Sequence, residues 1–301
     1  MKQNLKFHKT TEKIFVMLIL TAVLLSALTI GASADCGPKD SVTISFPNIS
    51  GEFYVTLLST SQSYGPWSAE HATYELESIR ESDPELHAAF LKMHGYSESG
   101  YYFLGNVQRC SSRESYRWGY YPPNCFKVLI YNAETESFYT SEQLSQYAFS
   151  SYYEAEIDEG GGLTCRQSYD YGREALLFLG RVALTLAIEL LIALPFGYLK
   201  AGRRGVIIYT NLTTQLLLNL ALNAINFRSG WLTMMIAYLL LEIGVFVIEG
   251  AVYTAVTIKR PEFDDRRGRA ARAWLYALAA NFASFAAGIA IFYIQKELGL
   301  L

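Results

Sequence analysis

The sequence predicts a membrane protein in two parts: a β-rich α+β extracytoplasmic domain over residues 35–172, then an all-α four-helix transmembrane bundle over 173–301. Three observations predict it. Apolar residues alternate with polar ones in the first part but run together in four long stretches in the second. Charge is divided: residues 35–172 hold 19 acidic and 8 basic side chains, although the whole chain carries only −3. All four cysteines (Cys36, Cys110, Cys125, Cys165) precede the apolar stretches. An acidic half followed by a basic, apolar half suits a membrane protein with basic cytoplasmic loops better than one soluble domain.

The chain opens with the pattern of a signal peptide over 1–34. Lys2, Lys6, Lys9 and Lys13 precede a short apolar core at 14–28, and Ala32, Ser33 and Ala34 form a small-residue cleavage site. Export would place the cysteines in an oxidising compartment, which predicts two disulfides. The favoured pairs are Cys110 with Cys125, closing a local loop, and Cys36 with Cys165, joining the ends of the domain.

Within the exported part, Val42, Ile44 and Phe46 share one face of a strand, as do Phe126, Val128 and Ile130. Further β-rich runs lie at 53–58, 101–107, 138–140 and 152–157. One helix is bracketed by Asp83 as cap, Pro84 at the first helical position and Gly95 after the end. A second short helix is predicted from Thr140, with Gln143 completing a capping box. The result is a small antiparallel sandwich or sheet with short helices. Acidic, glycine-rich residues 158–162 read as a hinge ahead of the membrane.

The aromatic stretch 116–123 offers Trp118, Tyr120 and Tyr121 as a candidate platform for a glycan or peptide. The competing reading is that the large rings pack in a β core. His87 and His94 are seven residues apart, about 10 Å along a helix and too far for one metal ion. No cofactor or metal site is predicted, and no hydrolase or nucleotide-binding motif points to an enzyme.

The four apolar stretches lie near 175–199, 205–226, 231–257 and 273–294, each long enough to cross a hydrocarbon core of about 30 Å. Lys200, Arg203 and Arg204 follow the first stretch; Lys259, Arg260, Arg266, Arg267, Arg269 and Arg272 follow the third. The intervening loop 226–230 carries only Arg228. The positive-inside rule then puts both basic loops in the cytoplasm, and the N-terminal domain and C-terminus outside a plasma membrane. The two hairpins also read as a weak repeat: Glu189, Gly197, Tyr198 and Asn211 in one match Glu242, Gly250, Tyr253 and Asn281 in the other.

Polar residues inside apolar helices are costly, on the order of 2.5–3.5 kcal/mol for a central charge. Arg181, Glu189, Asn211, Gln215, Asn219, Glu242, Glu249, Asn281 and Ser284 form an intramembrane polar cluster on this reading. Asn211, Gln215 and Asn219 are spaced by four, and Glu242 and Glu249 by seven, so each set lies on one helix face. The cluster is either an ion path or polar pocket, or interhelical hydrogen-bonding glue. At least one of Glu189 and Glu242 is expected to be protonated at neutral pH.

Five stretches, ADCGPKDSVTISF, WGYYPPNCFKVLIY, YAFSSYYEAEI, NLTTQLLLNLALN and LLEIGVFVIEGAVY, resemble a group of bacterial, largely Gram-positive membrane proteins. Members have a signal peptide, an exported domain and four C-terminal transmembrane helices. The resemblance implies this architecture and no particular activity. Two functions compete. The first is a membrane-anchored receptor or accessory protein whose acidic exported domain binds a protein or envelope ligand. The second is a transporter or channel subunit using Glu189, Glu242 and Glu249. The expected partners are the lipid bilayer, that ligand, and a second copy or another subunit, since four helices make a thin pore wall. No nucleic acid partner is expected.

Overall fold

The computed structural model describes residues 37–70, 72, 79–80, 82–111, 113–199, 204–258 and 266–297. The signal segment, Cys36, and the loop residues Lys200, Arg203, Lys259 and Arg260 lie outside the described residues. The chain divides into two compact units, one of them Pro38–Asp170 and the other containing Tyr171–Leu301.

The first unit is β-rich. Among the described residues its strands are β1 (Ser41–Ser45), β2 (Glu52–Ser59), β3 (Ser63–Tyr64), β4 (Trp67–Ser68), β5 (Tyr102–Phe103), β6 (Gln108–Ser111), β7 (Tyr116–Trp118), β8 (Cys125–Asn132), β9 (Ser137–Thr140), β10 (Leu144–Ser145), β11 (Ser150–Ile157) and β12 (Leu163–Gln167). Helix α1 (Pro84–His94) lies between β4 and β5. The first sheet runs β12-β11-β1-β7, and the second β10-β8-β2-β5 with β6 also on β2 and β9 on β8.

The alternation read in the sequence is what joins the two sheets. Val42 and Ile44 of β1 and Tyr116 and Trp118 of β7 meet Phe53, Val55 and Leu57 of β2 and Phe126, Val128 and Ile130 of β8 in one core. The opposite face of the second sheet is covered as well. Tyr54, Leu58, Leu129 and Tyr131 pack under Ala89, Phe90 and Met93 of α1. Strand β2 is therefore buried on both faces from Phe53 onward. Helix α1 forms as its termini specify: Asp83 Oδ1 accepts from the Leu86 amide at 2.9 Å, Pro84 opens the first turn, and Gly95 closes the last.

The first and penultimate strands of the unit are neighbours. β1 pairs with β11 in parallel, Ser41 opposite Ser150. The Asn48 side chain extends this ladder, its Nδ2 donating to Ile157 O at 2.9 Å and its Oδ1 accepting from Ile157 N at 3.1 Å. A hydrogen-bonded ladder thus holds these two strands together.

Several expectations are corrected. Cys110, Cys125 and Cys165 are free thiols, so the Cys110–Cys125 pair is not made. Cys110 stands opposite Phe53, whereas Phe126, next to Cys125, stands opposite Ser59 at the far end of the same strand. That offset is about 20 Å along β2, against about 5.5 Å between the Cα atoms of a disulfide. Burial pushes the thiols of Cys110 and Cys165 up to about 12, which keeps both protonated at neutral pH. No helix starts at Thr140. Ser141 Oγ instead accepts from the Val128 amide at 2.9 Å, and Gln143 Oε1 accepts from Tyr101 OH at 2.7 Å. Residues 158–162 are the β11–β12 hairpin turn rather than a hinge: Asp158 Oδ1 accepts from the amides of Gly160 and Gly162 at 2.9 and 2.8 Å.

The second unit is helical: α2 (Tyr171–Ala193), α3 (Arg204–Ile258) and α4 (Arg266–Glu297). Among the described residues, three helices are long and apolar enough to cross a membrane, where four separate ones were expected. The reason lies in α3. Its 55 residues would extend about 80 Å if straight. Gly230 breaks the helical geometry at φ 77°, ψ 173°, so the run is two limbs meeting at one residue. Thr214 hydrogen-bonds to Glu249 and Asn211 to Tyr253, pairs symmetric about positions 231–232. The limbs therefore fold back on each other. Helix continues through Asn226–Ser229, which were expected to be loop.

Helix α2 ends earlier than the apolar run, at Ala193 rather than near 199. Pro195 follows, and Gly197 adopts φ +69°. The Tyr198 amide donates to Ala193 O at 3.1 Å and the Gly197 amide to Leu194 O at 3.0 Å, the two bonds of a glycine-closed helix terminus. Gly250, its supposed repeat counterpart, plays a different part. It is a mid-helix contact where an added Cβ would come within 2.5 Å of the Trp274 ring.

Candidate functional site

The polar residues predicted for the helices are brought together in large part. Glu189 and Glu249 are fully buried, and Asn211, Gln215, Asn219, Glu242, Asn281 and Ser284 are also buried. They come from α2, both limbs of α3, and α4. Meanwhile Leu176, Leu191, Leu220, Leu239 and Leu278 are exposed. This distribution, apolar outside and polar inside, inverts that of a water-soluble helical bundle.

Glu249 is the best-partnered of the carboxylates. Thr214 Oγ1 donates to its Oε1 at 2.6 Å, and Asn281 Nδ2 donates to its Oε2 at 2.7 Å. Three helical segments are thereby tied at one side chain. Tyr253 OH donates to Asn211 Oδ1 one layer away. Glu189 differs: neither carboxylate oxygen has a hydrogen-bond partner, although Ser284 lies beside it. Its backbone carbonyl accepts from Tyr276 OH at 3.3 Å. Glu242 has one unpartnered oxygen, Oε2, with Tyr238 one turn before it as its polar neighbour. Gln215 Nε2, Asn281 Oδ1 and Ser284 Oγ are buried and unpartnered as well.

Two predicted members are not part of this junction. Arg181 is only partly buried and its Nη2 donates to Asn223 Oδ1 at 3.1 Å. It stands eight residues before Glu189, about 12 Å along the helix. Asn219 turns back on its own helix, donating to Gln215 O at 2.9 Å.

The end of the unit where α2 terminates is closed by aromatic rings. Tyr276 meets Tyr198 and Tyr253 with ring centroids 4.9 and 5.2 Å apart. Alanines 273, 277 and 280 on α4 give these rings room. Thr214, Tyr253 and Tyr276 were not among the predicted site residues. Thr214 carried one available signal: it lies three residues after Asn211, on the polar stripe of the same helix.

In the β unit the candidate aromatic platform loses Trp118 and keeps Tyr120 and Tyr121 at least partly exposed. Trp118 is fully buried, its Nε1 donating to Tyr120 O at 3.1 Å and its ring edge-on to Trp67 at 5.7 Å. It is a core residue because this face of β7, paired edge to edge with β1, is turned toward the second sheet. Tyr120 is exposed, and Tyr121 is half-buried with Lys39 Nζ 5.1 Å from its ring centroid. Among the described residues, no three His, Cys, Asp or Glu side chains are grouped to hold one metal ion.

Comparison with protein-family models, with curated proteins and with solved structures finds no match for this chain.

Proposed function

We propose that this chain is a multi-pass membrane protein whose β unit is exported and whose buried carboxylate cluster is the working centre of a proton- or cation-handling transporter or channel subunit. The observation that carries the reading is Glu189, a fully buried carboxyl group without a protein hydrogen-bond partner among three apolar-surfaced helices. A carboxyl group in hydrocarbon surroundings is expensive, and such groups mark ion and proton pathways. In this reading each limb of α3 crosses the bilayer, which gives four crossings. A partner subunit or second copy completes the wall.

The test is flux. The full chain in proteoliposomes, driven by an imposed potassium diffusion potential, should move protons or sodium ions, followed by an internal pH dye or tracer sodium. Wild-type protein that folds and moves neither overturns the proposal. The receptor reading stays second, supported by exposed Tyr120 beside Tyr121 and Lys39 on the β unit. Deleting residues 38–170 separates the two, since a transport core keeps its flux without that unit.

A further inference from the structure

We propose that the Glu189 carboxylate is the charged group of an exchangeable site for one monovalent cation, a proton or an alkali-metal ion, and that Glu249 is the framework around it. This rests on the cluster being the working centre. The two glutamates are equally buried but differently engaged. Each oxygen of Glu249 accepts from a neutral donor on another helical segment, so its capacity is used in holding the helices. Neither oxygen of Glu189 makes a well-formed hydrogen bond, and Ser284 Oγ is the side-chain donor beside them. Ser284 Oγ and Asn281 Oδ1, one turn away on α4, are buried oxygens that themselves accept from no donor. Oxygen atoms of this kind are the ligands a hard monovalent ion takes.

Charge balance points the same way. A buried ionised carboxylate needs an opposite charge close by. Among the described residues, no Lys, Arg or His is buried in the helical unit. The ionisable groups that face Glu189 are Glu242, Glu249 and Tyr253 of α3 and Tyr276 of α4, and none of them supplies a positive charge. On its own helix Arg181 is about 12 Å distant and engaged with Asn223. The compensating charge has to be mobile. One carboxylate with both oxygens unengaged, beside neutral oxygens, matches a monovalent ion, whereas a divalent metal would draw two or three carboxylates to one point, and among the described residues no three are so grouped.

Infrared difference spectroscopy of the full chain in lipid nanodiscs tests this. One arm exchanges sodium for choline at fixed pH; the other steps the pH in choline. The band read is that of a buried carboxyl without strong hydrogen bonds, which absorbs above those of exposed and hydrogen-bonded carboxyls; its reversible change in the pH arm alone assigns a proton. A change in both arms, with sodium moving the pH midpoint, assigns an alkali-metal ion competing with the proton. Glu189→Gln should abolish the change while the protein keeps its helical circular dichroism. Ser284→Ala retains every carboxyl group and should shift the exchange midpoint about tenfold, the effect of one lost hydrogen-bonding group. It also serves if Glu189→Gln fails to fold. No reversible change in either arm, a change that survives in Glu189→Gln, or an unmoved midpoint in Ser284→Ala overturns the assignment. Exchange without flux leaves the site standing and removes the transport reading; flux that persists in Glu189→Gln does the reverse.

Discussion

Glu249 and Glu189 show how one residue type takes two roles from its neighbours. Removing the Glu249 side chain takes the carboxylate acceptor from Thr214 and Asn281. Both also bond to backbone carbonyls, Thr214 to Thr210 O and Asn281 to Ala277 O, so the loss is softened. Glu249→Ala is expected to cost roughly 2 kcal/mol, and Glu249→Gln less. Denaturant unfolding in detergent measures it, and equal stability of Glu249→Ala and wild type would contradict the framework role. In the β unit, Lys127 Nζ donates to Glu98 at 2.6 Å, and this hydrogen bond chiefly holds the Glu98 carboxyl below its usual range. Its folded value being lowered, the contribution is full above the ordinary glutamate value of about 4.3 and fades as pH falls through the folded value. Unfolding of the β unit below that pH should therefore show less acid-side loss in Lys127→Met than in wild type. A matching pH dependence in both would rule the pair out as a source. The residue types of the buried cluster were legible because polar groups in apolar runs stand out. The division of labour between Glu189 and Glu249 was not, because it depends on which donors the other helices present.

At the scale of elements, the close approach of α3 and α4 rests on small residues. Gly250 has no room for a Cβ against Trp274, and Gly288 none against Tyr238 OH. Gly250→Ala is expected to destabilise the helical unit by about 1–3 kcal/mol through overpacking. In a double-mutant cycle the cost should fall when Trp274 is also replaced by Leu. A Gly250→Ala penalty independent of Trp274 would locate the cause elsewhere. Signals that act locally were readable from sequence: Asp83 and Pro84 start α1, and Val42 and Ile44 point into the sandwich. Signals completed by a distant partner misled. Thr140 and Gln143 have capping-box spacing, but Ser141 is taken by Val128 across the strand. Asp158 before three glycines looks like a linker until its carboxylate is seen to organise a hairpin turn. The burial of both faces of β2 was hidden because α1, which covers the second face, is separated from it in sequence.

For the whole molecule, the proposed membrane topology turns on Gly230, where the two limbs of α3 meet. A straight α3 would be about 80 Å long, more than twice a hydrocarbon core of about 30 Å. Fold-back at Gly230 brings Thr214 to Glu249 and so assembles the polar centre, and in the proposed topology it turns three candidate spans into four traverses. With the β unit exported, an odd number of crossings leaves the C-terminus in the cytoplasm and an even number returns it to the outside. An epitope tag placed after Leu301 and probed with antibody on intact and then permeabilised cells reads this parity. Four crossings predict that the tag is stained on intact cells. Staining only after permeabilisation would contradict the fold-back of α3 across the membrane and, with it, a carboxylate centre enclosed by four crossings.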